Sequence, residues 1–428
     1  MEQLYQLYLQ HPVVTTDSRA CLPNSIFVAL RGENFNGNAF AGKALEQGCA
    51  YAIVDQAEYA EAPKTILVDN CLQTLQELAK HHRGQCTGTT LIAITGSNGK
   101  TTTKELVASV LSQKYKTLFT QGNLNNAIGL PLTLLKLRND HEFAVIEMGA
   151  SGPGDIKTLC EIAQPDIGII TNVGKAHLKG FGSFEGVIKA KGELYDYIRS
   201  KKGKIFINHS NQFLQEISSG LDKFEYGTTS GLFVSGKVNS ERSLYFSFDW
   251  KTNNSELQLI QTQLVGEYNL ENALAAAAIG SFFNVETALI NSALQNYVPK
   301  NNRSQLKKTQ HNTLIIDAYN ANPTSMYASL LNFKNINVSP KAVILGDMLQ
   351  VGEYSKEEHQ KIVDLLVECQ LDKVFLIGEC FSSTKNQYNT FGTLSDFIDK
   401  ISEINLIGFT ILIKASRGLK LERTIEYL

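Results

Sequence analysis

The chain has 428 residues, which is more than one hydrophobic core usually supports, so two or three domains are expected. Hydrophobic residues make up 43% and charged residues 19% of the chain, proportions that exclude a disordered, fibrous or disulfide-stapled protein. The formal net charge of -2 excludes a global basic field for nucleic acid or anionic lipid, so any anion must be bound by local groups.

The start of the chain carries no targeting signal. Residues 1–9 lack the basic and apolar segments of a secretion signal, and no apolar run approaches the roughly 18 residues of a membrane helix. We therefore expect a cytoplasmic monomer with no nucleic-acid partner and no membrane insertion. The seven cysteines are scattered without a CxxC pair, so we interpret them as reduced, mostly buried thiols and not as metal ligands or a nucleophile.

Short apolar strands alternate with helix-length stretches along most of the chain, which predicts βαβ units and the α/β fold class. A first domain, residues 1–85, has predicted strands at 25–30 and 51–54 and ends in a predicted helix at 71–82.

The central domain, residues 86–299, is predicted to be a parallel mononucleotide-binding sheet with an antiparallel side patch. Its predicted elements are four strands at 91–95, 143–147, 167–173 and 204–208, the antiparallel patch at 231–265, and an Ala-rich helix at 269–283. Turn residues at 298–304 then mark a boundary. The C-terminal domain, residues 300–428, is predicted to be Rossmann-like, with strands at 313–318, 341–345, 373–377 and 409–414.

A glycine loop between the strand at 91–95 and a helix that runs through 104–111 predicts phosphate binding. Glycines let backbone N–H groups approach phosphate oxygens, the lysine reaches the outer phosphates, and the first threonine hydroxyl can ligate magnesium. The loop is shorter than the general P-loop, which has glycine where this chain has Ile94. The predicted ATP-binding residues are Thr95, Gly96, Ser97, Asn98, Gly99, Lys100, Thr101 and Thr102.

Three further residues follow strands or lie on a helix of the same domain. Glu147 ends a predicted strand and opens a glycine-rich loop, at the edge where α/β sheets bind ligands. His177 lies in the loop after the next strand, and Lys191 lies on a predicted helix. Without the phosphate loop, each would be an ordinary surface or packing residue. With that loop, Glu147 is a candidate magnesium ligand.

The segment TGSNGKTT, together with these residues, resembles the Mur ligases and their folylpolyglutamate synthase relatives, and the resemblance spans nearly the whole chain. It implies that ATP phosphorylates a substrate carboxylate and that an amine then displaces phosphate to form an amide. It also implies a carbamate made from CO2 on Lys191. The implied catalytic residues are Lys100, Glu147, His177 and Lys191, and the implied magnesium ligands are Thr101, Glu147, His177 and carbamylated Lys191.

Within that family, the segments NLNNAIGLP at 123–131 and DAYNANP at 317–323 resemble those of the members that add D-alanyl-D-alanine. The Asp-Asn-Pro-Arg motif of the members that add diaminopimelate is absent from the sequence. The implied partners are UDP-N-acetylmuramoyl-tripeptide and D-alanyl-D-alanine. The segments TDSR at 16–19 and KASRG at 414–418 also resemble segments of the members that add D-alanyl-D-alanine, and the first implies that residues 1–85 bind the UDP-linked substrate. The substrate residues implied by the four segments are Ser18, Arg19, Asn123, Asn125, Asn126, Asn320, Asn322, Ser416 and Arg417.

The resemblance also implies further contacts with ATP. Asn269 and Asn272 match the adenine-side segment, although the family's usual histidine before the first asparagine is Tyr268 here. Arg303 matches an arginine that closes on the γ-phosphate, with Asn302 in place of the usual glycine, and Asp317 matches a residue that holds the ribose.

Two alternative functions stay open at this point. One is a folylpolyglutamate synthase-like ligase on the same fold. The other is a non-catalytic regulatory protein that binds ATP.

Overall fold

The computed structural model describes residues 1–60, 64–239 and 243–428, and contains one small and two large sheets that carry helices. Residues 61–63 of the predicted first domain and 240–242 of the predicted antiparallel patch lie outside the described residues. None of the helices in the described ranges is both long and apolar enough to span a bilayer. The α/β fold class is confirmed.

The N-terminal sheet is parallel, with strand order β1-β2-β5-β6, and a short hairpin of β3 and β4 lies beside it. The predicted strand at 25–30 is shorter than expected, and the predicted helix at 71–82 is longer. The elements are α1 (Glu2–Gln10), β1 (Val14–Thr15), β2 (Ile26–Val28), β3 (Arg31–Gly32), β4 (Phe35–Asn36), α2 (Ala41–Glu46), β5 (Tyr51–Val54), β6 (Thr65–Leu67) and α3 (Cys71–Gln85).

The central sheet has nine strands in the order β15-β14-β13-β12-β11-β10-β7-β9-β8. Its strands are β7 (Thr90–Thr95), β8 (Thr117–Phe119), β9 (Phe143–Glu147), β10 (Ile167–Ile170), β11 (Lys204–Asn208), β12 (Asp222–Gly227), β13 (Val234–Val238), β14 (Tyr245–Thr252) and β15 (Gln258–Val265). Its helices are α4 (Lys100–Leu111), α5 (Gly129–Leu134), α6 (Asp155–Ala163), α7 (Leu178–Phe181), α8 (Phe184–Ser200), α9 (Gln212–Ile217), α10 (Leu270–Phe282) and α11 (Thr287–Asn296).

The predicted antiparallel patch continues the central sheet. Strands β8 to β13 pair in parallel, whereas β13, β14 and β15 are antiparallel. Phe246, Phe248 and Trp250 alternate along β14 and are all buried, which is the period of two that the sequence displays. The predicted strand at 167–173 was too long, because the chain leaves the sheet after Ile170 to form a loop.

Strand β7 lies where the connections change direction. The chain passes from β7 to β8 and β9 on one side, and then returns to β10 on the other side. In an open α/β sheet, such a switch point leaves a crevice at the carboxyl ends of the strands, where ligands bind. The phosphate loop follows β7, Glu147 ends β9, and the His177 loop follows β10, so the topology brings all three to one edge.

The Ala-rich helix α10 packs closely on α4, the helix that follows the phosphate loop. Its residues from Asn272 to Gly280 are all buried, and a Cβ on Gly280 would lie only 2.5 Å from Val110 Cγ1. Small side chains allow this close approach. It places the first turn of α10 beside the phosphate loop.

The C-terminal sheet has the order β16-β17-β21-β18-β19-β20, with β16 antiparallel and the other strands parallel. Its elements are β16 (Gln305–Lys308), β17 (Thr313–Asp317), α12 (Pro323–Asn335), β18 (Lys341–Gly346), α13 (Ser355–Glu368), β19 (Lys373–Ile377), α14 (Glu379–Ser382), β20 (Asn389–Phe391), α15 (Leu394–Ile401) and β21 (Thr410–Lys414). Short 3-10 turns across the chain are Gly37–Phe40, Ala57–Tyr59, Glu267–Asn269, Gly352–Tyr354, Arg417–Leu419 and Leu421–Tyr427.

The C-terminal unit contacts the central sheet at the phosphate-loop edge. The side-chain amides of Asn98 and Asn322 hydrogen-bond each other, with Asn322 Nδ2 2.8 Å from Asn98 Oδ1. Lys175 donates its backbone N–H to Thr324 Oγ1 at 3.2 Å and pairs its ammonium with Glu358 at 2.8 Å. The carboxyl edge of the third sheet therefore faces the phosphate loop.

Candidate active site

The phosphate loop has the backbone geometry that its glycines permit. Gly96 and Gly99 have φ values of 144° and 79°, which side chains disfavour. A Cβ on Gly96 would lie 2.0 Å from Thr171 Oγ1, and one on Gly99 would lie 2.5 Å from Asn272 Oδ1. Helix α4 begins at Lys100, so the backbone N–H groups of its first turn point into the loop.

The loop after β10 holds the phosphate loop in place. Thr171 Oγ1 donates to the Asn98 carbonyl at 2.6 Å, and the Asn98 N–H donates to Asn172 Oδ1 at 3.0 Å. Ser97 Oγ donates to the Gly174 carbonyl at 3.1 Å. These contacts preorganise the loop.

Lys100 folds back over its own loop, with Nζ 2.6 Å from the Gly96 carbonyl oxygen and 3.1 Å from that of Ser97. Burial lowers the pKa of Lys100 to about 8, Glu147 opposes this shift, and the positive charge of Arg303 adds to it. The charge of Arg303 therefore makes the charged form of Lys100 less favourable. An anion bound in the same crevice would offset this repulsion.

Glu147 is almost completely buried, with 1% of its surface exposed. Its Oε1 accepts a hydrogen bond from Asn125 Nδ2 at 2.7 Å, and its backbone N–H donates to Thr120 Oγ1 at 2.9 Å. Oε2 is buried and has no hydrogen-bond partner among the described residues. Such an atom is costly to bury, and a cation beside it would remove that cost.

His177 and Lys191 lie near each other and near Lys100. Burial, followed by the charges of Lys100 and Lys191, lowers the pKa of His177 to about 4, so its imidazole is neutral at physiological pH. Lys191 is 2% exposed, and burial together with Lys100 lowers its pKa to about 7. The centre of the Phe181 ring lies 5.3 Å from Lys191 Nζ and 6.4 Å from the centre of the His177 ring.

The C-terminal unit contributes Arg303, whose charge acts on Lys100, and Asp317 at the end of β17. The Arg303 guanidinium lies 3.7 Å from the ring centre of Tyr319, and its buried Nε has no hydrogen-bond partner within the described ranges. Asp317 forms an ion pair with the buried Lys414 and accepts a hydrogen bond from Ser329 at 3.0 Å. Fixed cations and an unpaired carboxylate oxygen thus converge on the crevice between the two units, an arrangement suited to phosphoryl transfer.

Three family models match the chain: the Mur ligase family catalytic domain at residues 12–83, the Mur ligase middle domain at 94–280, and the glutamate ligase domain of Mur ligases at 302–406. The UDP-N-acetylmuramoyl-tripeptide--D-alanyl-D-alanine ligase of Bacillus subtilis (strain 168) is 33% identical over 428 residues, which cover 97% of this chain and 92% of that relative. The chain belongs to the Mur ligase family.

Two solved Mur ligase structures are similar along the whole chain. MurF from Acinetobacter baumannii is 28% identical with a TM-score of 0.87, and covers 100% of this chain and 98% of its own. MurF ligase from Thermotoga maritima in complex with ADP is 26% identical with a TM-score of 0.85, and the match covers 98% and 97% of the two chains. The chain is therefore an ATP-dependent ligase of this family.

The two residues that match the Mur ligase adenine-side segment are buried and bonded within the protein. Asn272 Oδ1 accepts from Thr103 Oγ1 at 2.9 Å, and its Nδ2 donates to Asn269 Oδ1 at 2.9 Å. Asn269 in turn donates to the Val265 carbonyl at 2.9 Å. In this structure, Asn272 ties α10 to α4, and Asn269 ties the start of α10 to the end of β15.

The two departures from the Mur ligase pattern have local explanations. Asn302 stands where the family usually has glycine and has a φ of 56°, a left-handed conformation that asparagine tolerates better than most residues. Tyr268 stands where the family usually has histidine, and its hydroxyl lies 3.2 Å from Ser304 Oγ.

Several predicted substrate residues have their side chains occupied by protein contacts. Asn125 donates to Glu147, and Asn126 Oδ1 accepts the N–H groups of Ile128 and Gly129 at the start of α5. Ser416 Oγ contacts the Ala321 carbonyl and the Leu349 N–H. These contacts position loops at the site, and sequence alone did not show them.

The other predicted substrate residues differ in exposure, and one of them, Asn322, contacts Asn98 between the C-terminal and central units. Asn123, Asn320 and Arg417 are exposed, and Arg417 Nη1 donates to the Tyr319 hydroxyl at 3.1 Å. Ser18 is buried, whereas the exposed Arg19 pairs with Asp17 at 2.8 Å. The structure brings the C-terminal residues to the crevice, while Ser18 and Arg19 lie in the first sheet's loops.

One cluster has metal-ligand residue types outside the crevice. Asp347, His359 and Cys380 place ligand atoms within 4.8 Å of one another. His359 Nε2 accepts the Met348 N–H at 2.9 Å, its Nδ1 donates to the Ser355 carbonyl at 2.7 Å, and Asp347 accepts two backbone N–H groups. Because these atoms are already bonded, the cluster is a structural network.

Sequence reasoning missed two groups that organise the site. Thr120 bonds the backbone of Glu147 through its hydroxyl, and Tyr319 contacts both Arg303 and Arg417. Tyr319 lies inside the DAYNANP segment, so the segment drew attention to the right loop. Its partners lie 16 positions before it and 98 positions after it, so no local sequence pattern predicts these contacts.

Proposed function

We propose that the protein joins D-alanyl-D-alanine to UDP-N-acetylmuramoyl-tripeptide at the expense of ATP, giving UDP-N-acetylmuramoyl-pentapeptide, ADP and phosphate for peptidoglycan synthesis. The observation that carries this proposal is the buried, unpartnered Glu147 Oε2 beside a phosphate loop, in a chain similar over its full length to ligases of that name. The unpaired oxygen supports a cation site beside the phosphates, and the full-length similarity to those ligases supports catalysis at it.

The proposed reaction has two steps, phosphorylation of a carboxylate and displacement of the phosphate by an amine. The terminal carboxylate of the tripeptide attacks the γ-phosphorus of ATP, and ADP leaves. The dipeptide nitrogen then attacks the acyl carbon of the resulting acyl phosphate, inorganic phosphate leaves, and the nitrogen loses a proton. Lys100 and Arg303 would hold the outer phosphate oxygens, because both cations face the crevice.

The residues of the crevice fit magnesium. Thr101, Glu147, His177 and a carbamylated Lys191 would hold the ions, since a carboxylate oxygen without a partner and a neutral imidazole are both available as ligands. Bound magnesium would neutralise the phosphate charge as the γ-phosphoryl group transfers. Asn125 would then act on the metal site, by fixing the Glu147 carboxylate.

Each predicted domain has a role in this proposal. Residues 1–85 would bind the UDP-linked substrate with Ser18 and Arg19, residues 86–299 would bind ATP, and residues 300–428 would bring Arg303, Asp317 and the dipeptide site. Three separate family-model matches and three helix-bearing sheets support this division. The dipeptide carboxylate would pair with Arg417, which is exposed at the crevice. The contacts between Asn98 and Asn322 support closure of the C-terminal domain over ATP, which would exclude water from the acyl phosphate.

The enzyme would act as a monomer in the cytoplasm, where nucleotide-linked precursors and ATP are available. A complete candidate site assembled from one chain supports the monomer. Analytical ultracentrifugation of the active enzyme tests it, and activity confined to a dimer would contradict it.

The deciding experiment measures phosphate release from Mg-ATP by the purified protein, with both substrates together and with each omitted in turn. Release that requires both, with the pentapeptide product seen by mass spectrometry, supports the proposal. Release with a folate and glutamate would favour the folylpolyglutamate synthase-like alternative. Folded protein that binds ATP but releases no phosphate under any of these conditions would favour a regulatory role.

Lys191 is expected to carry a carbamate, seen as a mass gain of one CO2 in native mass spectrometry under bicarbonate. Its pKa of about 7 leaves a large neutral fraction whose nitrogen can attack CO2, with release of one proton. We expect Lys191→Ala to lose about 100-fold or more in kcat, an effect of the size seen when a group that stabilises transition-state charge is removed.

Lys189→Ala is the matched control, because Lys189 lies on the same helix and is exposed. It should keep its activity. An unmodified Lys191 under bicarbonate, together with full activity of Lys191→Ala, would refute the carbamate.

A further inference from the structure

The side chain of Tyr319 lies between two arginines that the proposed reaction uses separately. The Arg303 guanidinium carbon is 3.7 Å from the centre of the Tyr319 ring, and that of Arg417 is 5.1 Å from it. Arg417 Nη1 also donates to the Tyr319 hydroxyl at 3.1 Å. One side chain therefore contacts the candidate γ-phosphate arginine and the candidate dipeptide arginine.

Three loops that are distant in sequence meet at this ring. Arg303 precedes β16, Tyr319 follows β17 and Arg417 follows β21, and these three strands are neighbours in the C-terminal sheet. The backbone N–H of Tyr319 donates to the Asn302 carbonyl at 3.2 Å, which fixes the loop before Arg303 as well. All three residues lie in loops beside neighbouring strands, and this backbone hydrogen bond ties the loop of Tyr319 to the loop of Arg303.

The ring suits two cations whose N–H groups must stay free for anions. A guanidinium stacked on an aromatic face keeps the donors in its plane available, and the negative face of the ring attracts the charge. Arg303 gains most from this, because its buried Nε has no hydrogen-bond partner in the described part of the chain. For Arg417, which is exposed, the phenol hydroxyl supplies the fixed contact.

We propose that Tyr319 is a positioning residue that holds Arg303 by stacking and Arg417 by its hydroxyl, so that the phosphate site and the dipeptide site keep a fixed separation. This inference rests on the proposed function. The ring of Tyr319 contacts Arg303 and its hydroxyl contacts Arg417, so substitutions can remove the hydroxyl alone or the ring with it.

Tyr319→Phe removes only the hydroxyl. We expect the KM for D-alanyl-D-alanine to rise about 3- to 10-fold, which is the range for losing the preordering of one long side chain, while kcat and the KM for ATP stay within about 2-fold. Tyr319→Leu also removes the stack on Arg303. It should show the same rise in the dipeptide KM and an additional fall in kcat of about 10- to 100-fold, since misplacing a catalytic group by about 1 Å has effects of that size.

The matched controls are Tyr327→Phe and Tyr327→Leu, because Tyr327 lies on α12 of the same domain and is 51% exposed. Both should behave as the unsubstituted enzyme. If Tyr319→Leu does not fold, as judged by circular dichroism and thermal unfolding, Tyr319→Phe still tests the hydroxyl contact, since it keeps the ring.

A double-mutant cycle separates positioning from a general structural role. If Tyr319 acts through Arg417, Tyr319→Phe should have no further effect on the dipeptide KM in an Arg417→Ala background. Additive effects would overturn the inference, and so would a Tyr319→Phe enzyme with an unchanged dipeptide KM or with a rise only in the KM for ATP. An unsubstituted enzyme that is inactive with both substrates would instead refute the proposed function and, with it, this role.

Discussion

Lys100→Ala is expected to lower kcat by at least about 100-fold while the protein stays folded. Lys100 is the lysine of the phosphate loop, and its ammonium lies in the crevice. There Glu147 raises the pKa of Lys100 and Arg303 lowers it. Removing one preorganised group that stabilises charge in the transition state typically lowers kcat about 100- to 1,000-fold. Phosphate release with both substrates present measures the effect, and circular dichroism verifies the fold.

Lys136→Ala is a suitable control, because this lysine is exposed in the same domain. Lys100→Arg adds a second comparison, since it keeps the charge but cannot act as a compact point charge beside the Gly96 and Ser97 carbonyls. We expect Lys136→Ala to be fully active and Lys100→Arg to remain strongly impaired. Activity of Lys100→Ala within about 10-fold of the unsubstituted enzyme would contradict the role of Lys100 in phosphoryl transfer.

The sequence predicts the buried strands near the site because such strands are local patterns, whereas their order comes from the structure. Buried strands such as β9 and β11 are continuous apolar runs, and their predicted bounds agree with the structure. Once β7, β9 and β10 are parallel neighbours, their carboxyl ends must share one edge. Strands β8 and β12 were missed, because β8 has only three residues and β12 begins with two exposed polar residues and lacks an apolar run.

The sequence could not predict which polar side chains the protein itself occupies. Asn125 and Ser416 lie in segments that resemble substrate-binding motifs, yet both bond to atoms that other elements supply. Glu147 is 22 positions from Asn125, and Leu349 is 67 positions from Ser416. Such partners are fixed by tertiary packing, whereas the type and spacing of motif residues are fixed locally.

At the crevice, polar atoms with protein partners differ from two that lack them within the described part of the chain. Asn269, Asn272 and Asn126 have donors or acceptors satisfied by the protein, which is what stable packing requires. Glu147 Oε2 and Arg303 Nε remain without partners among the residues described, one as a potential cation ligand and the other as a potential anion ligand. Complementary unsatisfied groups at one crevice are expected where a metal–phosphate complex binds.

Glu147→Gln should lower kcat by about 100-fold or more and raise the magnesium concentration needed for half-maximal activity. The substitution keeps the shape of the side chain and removes the charge that makes Oε2 a metal ligand. Asn125→Ala should have a smaller effect of the same kind, because the carboxylate stays but loses the hydrogen bond that orients it. Magnesium titrations of phosphate release measure both effects.

The same Glu147→Gln substitution is also expected to raise the melting temperature of the magnesium-free protein. A buried carboxylate with one unpaired oxygen destabilises the fold, so the neutral amide should be tolerated better when no cation is present. Activity and stability would therefore change in opposite directions, which a simple loss of folding cannot produce. Glu161→Gln, at an exposed glutamate of the same domain, should change neither quantity. A Glu147→Gln enzyme with an unchanged magnesium requirement would show that the unpaired oxygen is not a metal ligand. The proposed magnesium site would then be wrong.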